Sequence, residues 1–174
     1  MTLETARLLL RPWEDGDAAA LYALASDPDI GPRCGWKPHE SEAESAEIIR
    51  TAFAEPEIYA LVLREGGATV GCAGLHPWEG QTADRPELGY WLGKAYWGRG
   101  LMPEAARALI DRAFAELNVK ELWCSHFASN AQSRRVIEKC GFRYRMTKER
   151  AGTDGIAHTT LFYALTRRDW EAAR

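Results

Sequence analysis

Two glycines spaced by one residue stand in Trp97-Gly98-Arg99-Gly100-Leu101-Met102, and Pro103 and Glu104 follow at once. Proline near a helix start and an acid in its first turn mark where a helix begins. Glycines at such a junction let backbone approach a ligand closely, and the unpaired N–H groups of the first turn suit a phosphate or diphosphate. The same glycines also serve plain junction geometry. Arg99 adds a charged fork at the rim. No Gly-Lys-Ser/Thr follows, which excludes a nucleotide P-loop, and no Gly-x-Gly-x-x-Gly opens an N-terminal βαβ unit, which excludes a dinucleotide fingerprint.

A second polar group lies in Asn130-Ala-Gln-Ser133-Arg134-Arg135-Val-Ile-Glu-Lys139-Cys-Gly141-Phe142. Asn130 is a natural N-cap, and Asn130, Ser133 and Arg134 fall along one helical face that can line a groove. Val136 and Cys140 are expected on the buried side, and Gly141 suits a left-handed C-cap. His76, at a strand exit, has an unperturbed pKa near 6.5 that suits proton transfer.

These residues need a frame. Thr5–Pro12 reads as a strand, 17–26 as a helix, and 27–39, with three prolines and two glycines, as a loop. Ser41–Phe53 is a predicted helix with Ile48, Ile49, Ala52 and Phe53 inward. Tyr59–Leu63 and Thr69–Leu75 form a hairpin over Glu65-Gly66-Gly67, and Pro86–Leu92 is a strand after a polar connection over 79–85. A helix of about four turns carries Ala106, Leu109, Ile110, Ala113, Phe114 and Leu117 inward. Strands over Val119–Ser125, Phe142–Met146 and Thr159–Leu165 and a helix over Asn130–Cys140 complete an α+β order with helices on both faces of a mixed sheet.

The chain has 174 residues, 46% hydrophobic and 27% charged. One domain of this size buries roughly 70% of its unfolded surface without staples. Twenty-two Lys and Arg against twenty-five Asp and Glu give a net charge of −3, which offers no field for a nucleic acid. The first residues form neither a signal peptide nor a membrane helix, so a cytoplasmic protein that binds no membrane is expected. Cys34, Cys72, Cys124 and Cys140 have no zinc-ligand spacing, so no metal is expected. Three of these thiols lie in apolar segments and read as buried; Cys34 sits in the Pro/Gly loop.

Three ordered stretches resemble the Gcn5-related N-acetyltransferases: Glu87-Leu-Gly89-Tyr90-Trp91-Leu92, the Tyr96-Trp97-Gly98-Arg99-Gly100 loop with Glu104-Ala105, and Asn130-x-x-Ser133 ending in Lys139-Cys-Gly141-Phe142. The opening Thr5-x-Arg7-Leu-x-Leu-Arg11 and the closing Phe162-Tyr163-Ala-Leu165-x-x-x-Asp169-Trp170 resemble the branch that acetylates ribosomal-protein N-termini. The resemblance implies an α/β/α sandwich whose mostly antiparallel sheet of about seven strands splays between its fourth strand, Glu87–Leu92, and its fifth, Val119–Ser125. It implies acetyl-CoA in the opening. Tyr90, Trp91 and Leu92 would hold the pantetheine arm through their backbone. The N–H groups of Trp97 or Gly98 through Arg99, Gly100, Leu101 and Met102 would hold the diphosphate. Asn130 would touch pantetheine, with Arg134 beside it, and Ser133 would lie near the thioester sulfur. Glu87 is implied as the base, against His76 or water. Two positions depart from the family: Ala95 replaces a Gln or Arg, and Ile137 replaces a tyrosine acid, so that protonation of the thiolate must come from Ser133 or from water, or not be needed.

The reaction so implied is acetyl transfer to a primary amine by direct attack in a ternary complex. It needs a neutral amine, a polarised carbonyl and a stabilised thiolate. A freed backbone N–H of Trp91 or Leu92 is the expected oxyanion donor. Trp36, Trp78, Tyr90, Trp91 and Trp97 make the region aromatic, and Trp36, His76 and Tyr90 are the candidate acceptor contacts. The expected acceptor is a protein or peptide α-amine. The alternatives are a small amine such as an amino acid, polyamine or antibiotic, or a module that binds acyl-CoA without turnover. Family habit adds a homodimer.

Overall fold

Eight strands form one sheet in the order β1-β2-β3-β4-β5-β6-β8-β7. In the computed structural model, which describes residues 1–77 and 82–174, these are β1 (Leu3–Glu4), β2 (Leu8–Arg11), β3 (Ile58–Leu63), β4 (Thr69–His76), β5 (Glu87–Leu92), β6 (Glu121–Phe127), β7 (Arg143–Ala151) and β8 (Ala157–Thr166). All neighbours are antiparallel except β5 and β6. The helices are α1 (Ala18–Ala25), α2 (Gly31–Cys34), α3 (Glu42–Arg50), α4 (Leu101–Ala115), α5 (Ala131–Lys139) and α6 (Arg167–Ala172). No helix among the described residues is long and apolar enough to cross a membrane.

Strand alternation sorts the core into two layers. Leu8, Leu10, Tyr59, Leu61, Ala73 and Leu88 face one way and pack with Leu101, Ala105, Leu109, Ala113 and Phe114 of α4 and Ile137 of α5. Ile58, Ala60, Val62 and Cys72 face the other way, against Trp13, Leu21 and Ala25 near α1 and Ile49 of α3. Trp170 of α6 stacks on Phe114 with ring centroids 5.4 Å apart and donates its indole N–H to Asp111. Leu109 is fully buried beneath α4. Leu109→Ala is expected to cost about 2–5 kcal/mol by leaving a cavity, measured as a shifted urea midpoint at unchanged slope.

Several expectations are corrected. The opening strand is broken at 5–7 by a turn in which Thr5 N–H donates to Leu8 O, which yields the extra strand Leu3–Glu4. The stretch read as a loop holds α2, with Pro32 in its first turn and Gly35 at φ 83° as its C-cap. The next helix ends at Arg50 and leaves Ala52 exposed. Leu117 lies past α4 and is exposed. β7 runs on to Ala151, its exposed charged residues fitting an edge strand, and α6 went unpredicted. Trp78 and residues 79–81 of the polar connection lie outside the described residues.

β5 and β6 share two rungs, Glu87↔Trp123 and Leu88↔Cys124, and then part. This is the expected splay, one strand later in the count because of Leu3–Glu4.

Candidate active site

Beyond Leu88, β5 keeps its pairing with β4 and loses it with β6. Gly93 N–H bonds to Val70 O, so the antiparallel alternation spends the Trp91 amide on Cys72 and turns the amides of Tyr90 and Leu92 toward the gap. Of the two expected oxyanion donors, Leu92 therefore faces the opening and Trp91 does not. The β4–β5 register is uninterrupted, so the parting of the strands frees this amide, not a bulge.

At the end of the gap, Gly98 and Gly100 take φ of 75° and 73°, with Arg99 between them. Alternating handedness of this kind makes a concave nest of N–H groups, here continued by the first turn of α4. The N–H groups from Gly98 to Met102 have no hydrogen-bond partner among the described residues. That is the donor set a diphosphate needs. The amide of Trp97 instead bonds to Lys94 O, and its indole donates to Leu92 O at 2.9 Å, so Trp97 braces the loop. Arg99 stacks over Tyr96 at 5.4 Å.

Across the gap, Asn130 caps α5: its Oδ1 accepts from Ser133 N–H at 3.2 Å, and its Nδ2 donates to Arg33 O at 3.3 Å. Arg134 pairs with Glu138 at 2.8 Å. Ile137, where the resemblance expects a tyrosine, is the buried residue of α5, with Val136 and Cys140 only partly covered. The phenol comes from the sheet instead. Tyr90 Oη lies 3.0 Å from Ser133 Oγ. Burial, aided by neighbouring Cys124, pushes the Tyr90 phenol well above its usual range, so it stays protonated.

Glu87 projects to the opposite face, the side of α1 and α3. It is buried, and Arg150 Nη1 donates to both its oxygens at 2.9 Å while Ser125 Oγ donates to Oε1. His76 stands opposite Glu87 in the β4–β5 ladder, and its ring lies over Gly89, where a Cβ would come within 2.9 Å of Cδ2. Desolvation lowers the His76 pKa, partly offset by Glu87, so the ring is neutral at pH 7. On this face Trp36 packs edge-on against Trp91 at 5.7 Å and beside His39 at 5.5 Å. The exposed turn at Cys34 contributes no bond to the site, and no metal-binding group of His, Cys, Asp or Glu exists among the described residues.

The site residues thus gather around one slit in the sheet, with a donor nest at its end, a carboxylate on one face and a hydroxyl pair on the other. A family model for the acetyltransferase (GNAT) domain matches residues 7–143. The chain belongs to the GNAT acetyltransferase family. In Bacillus subtilis, the protein named "Putative ribosomal N-acetyltransferase YdaF" is 34% identical over 62% of this chain and 59% of its own length. The FsC-acetyl coenzyme A-N(2)-transacetylase of Aspergillus fumigatus is 28% identical over 97% of this chain and 77% of its own. The crystal structure of a GNAT-family acetyltransferase from Bacillus anthracis superposes with a TM-score of 0.86 over 97% of this chain and 99% of its own, at 22% identity, and so shares the fold.

Sequence reasoning missed Arg150, Ser125 and the hydroxyl of Tyr90. Arg150 and Glu87 are 63 positions apart and Tyr90 and Ser133 are 43 apart, so only the sheet order brings them together.

Proposed function

We propose that this GNAT-family protein is an acetyl-CoA-dependent N-acetyltransferase that acetylates the α-amine of a protein or peptide N-terminus by direct attack in a ternary complex. The observation that carries this reading is the slit with the Glu87 carboxylate on one face and the Tyr90 and Ser133 hydroxyls on the other. Acetyl-CoA supplies the acetyl group as a thioester. Glu87, anchored by Arg150 and Ser125, takes the amine's proton directly or through water, with neutral His76 beside it. The Leu92 N–H faces the slit, where it stabilises the developing oxyanion without reorganising. Ser133 passes a proton to the leaving sulfur as Tyr90 passes its own to Ser133, and a proton from solvent restores the Tyr90 phenol before the next turnover. An α-amine, with a pKa near 8, asks less of the base than a lysine does.

The opening Thr5-x-Arg7-Leu and closing Asp169-Trp170 motifs, with the name of the B. subtilis relative, support the N-terminal acceptor. The name of the Aspergillus relative, which aligns along nearly the whole chain, favours a small-molecule amine as the second reading. Thiol release from acetyl-CoA against N-terminal peptides, polyamines and free amino acids tests both. The highest kcat/KM is expected with peptides, and turnover confined to small amines selects the second reading. CoA at about 100 Kd is expected to stabilise the fold by about 2.7 kcal/mol, or roughly 5–10 °C in Tm for a chain of this size. That stabilisation without thiol release on any amine would leave a binding module.

A further inference from the structure

The diphosphate nest needs its peptides held in one orientation, and no bond from its own N–H groups supplies that before a ligand arrives. The restraint comes from the other end of the chain. Arg7 Nη1 donates to the carbonyl of Arg99 at 2.8 Å, while its Nε and Nη2 both reach Glu104 Oε2 at 2.7 Å. The Arg7 backbone N–H and the Thr5 hydroxyl donate to the other oxygen, Oε1, at 2.8 and 2.6 Å.

We propose that Arg7 is a positioning residue for the cofactor, a clamp that reaches across 92 residues to set the Gly98–Gly100 loop in its phosphate-accepting conformation. The inference rests on the acetyl-CoA reading above. In a trans peptide the C=O and the following N–H point in opposite directions. Holding the Arg99 carbonyl on the Arg7 side therefore turns the Gly100 N–H to the other side, into the nest. Arg7 does a second thing through Glu104. A carboxylate in the first turn of α4 stays charged, lowered by its bonds to Thr5 and Arg7 against the cost of burial, and it would repel a diphosphate. Arg7 neutralises it and, with Thr5, holds it on the outer flank.

Arg7 is half exposed on the wall of an open cleft of about 640 Å³, lined also by Thr5, Gly100, Glu104 and Arg107. Removing its guanidinium leaves space for water and no void in the core. The test compares the parent with Arg7→Met and Arg7→Lys by CoA titration calorimetry, amide hydrogen exchange at Gly100–Met102, and KM for two donors, acetyl-CoA and acetyl-pantetheine. Charge-assisted bonds at an exposed site predict a CoA Kd raised about tenfold in Arg7→Met. Arg7→Lys, which keeps the charge but cannot bridge the Arg99 carbonyl and Glu104 as a fork, is expected to fall between. KM for acetyl-CoA rises with Kd, KM for acetyl-pantetheine, which lacks the diphosphate, moves less than twofold, and the loop amides exchange faster. A general structural role would move both donors alike. Equal Kd in parent and Arg7→Met overturns the clamp alone. Should Arg7→Met fail to fold, a parental Kd in Arg7→Lys overturns it. No CoA binding by the parent overturns the clamp and the acetyl-CoA reading together.

Discussion

Ser133→Ala is expected to lower kcat at saturating acetyl-CoA by about 100-fold, and Tyr90→Phe by a similar factor. The two hydroxyls lie 3.0 Å apart and in the proposed reaction serve a single proton, so the double variant should lose little more than either single one. Burial keeps the Tyr90 phenol protonated at any pH where the reaction is run, which suits a donor and excludes it as a base. Ile137 is packed into the core beneath α5 and has no proton to give. A double-variant cycle of kcat reads the outcome. Additive losses would separate the two hydroxyls, and unchanged turnover in Ser133→Ala would remove that residue from the chemistry.

Glu87→Gln should lower kcat/KM at pH 7 by roughly 100-fold or more, the usual scale for loss of a general base. The deficit should shrink as pH rises above about 8, where an α-amine has already lost its proton. A deficit that is the same at pH 6 and pH 9.5 would show that the carboxylate orders Arg150 and Ser125 and takes no proton. His76→Gln in the same pH series isolates the imidazole, which is expected to contribute less, since its ring leans over Gly89 and makes no hydrogen bond to Glu87. Melting temperatures recorded beside the rates separate a lost proton acceptor from the loss of a partner for Arg150.

Where local chemistry decides structure, the sequence was readable. Gly98 and Gly100 take the positive φ that a nest demands, Asn130 caps its helix, and Gly141 at φ 86° closes it. The apolar stripe from Ala106 to Phe114 faces the core as its spacing predicts. The helix Gly31–Cys34 was hidden by its prolines and glycines, although Pro32 at its start and Gly35 at its end follow the usual asymmetry of helix termini. Bonds that join distant segments left no local trace. Arg7 to Glu104, Tyr90 to Ser133 and Arg150 to Glu87 exist because the strand order puts their elements side by side, and no spacing rule encodes them. The second bond of Asn130, to Arg33 O, and the bond of the Trp97 indole to Leu92 O are likewise set by the fold.

The two-rung seam between β5 and β6 leaves main-chain amides and carbonyls of β5 turned toward an open gap. In the proposed reading, a flexible arm bearing amides of its own lies in that seam as a surrogate strand that supplies the missing ladder. Recognition by main chain places few demands on side-chain identity along β5. Evolutionary drift can then rewrite these positions while the frame persists, and relatives with few residues in common can keep the same grip on one donor and diverge in what they modify.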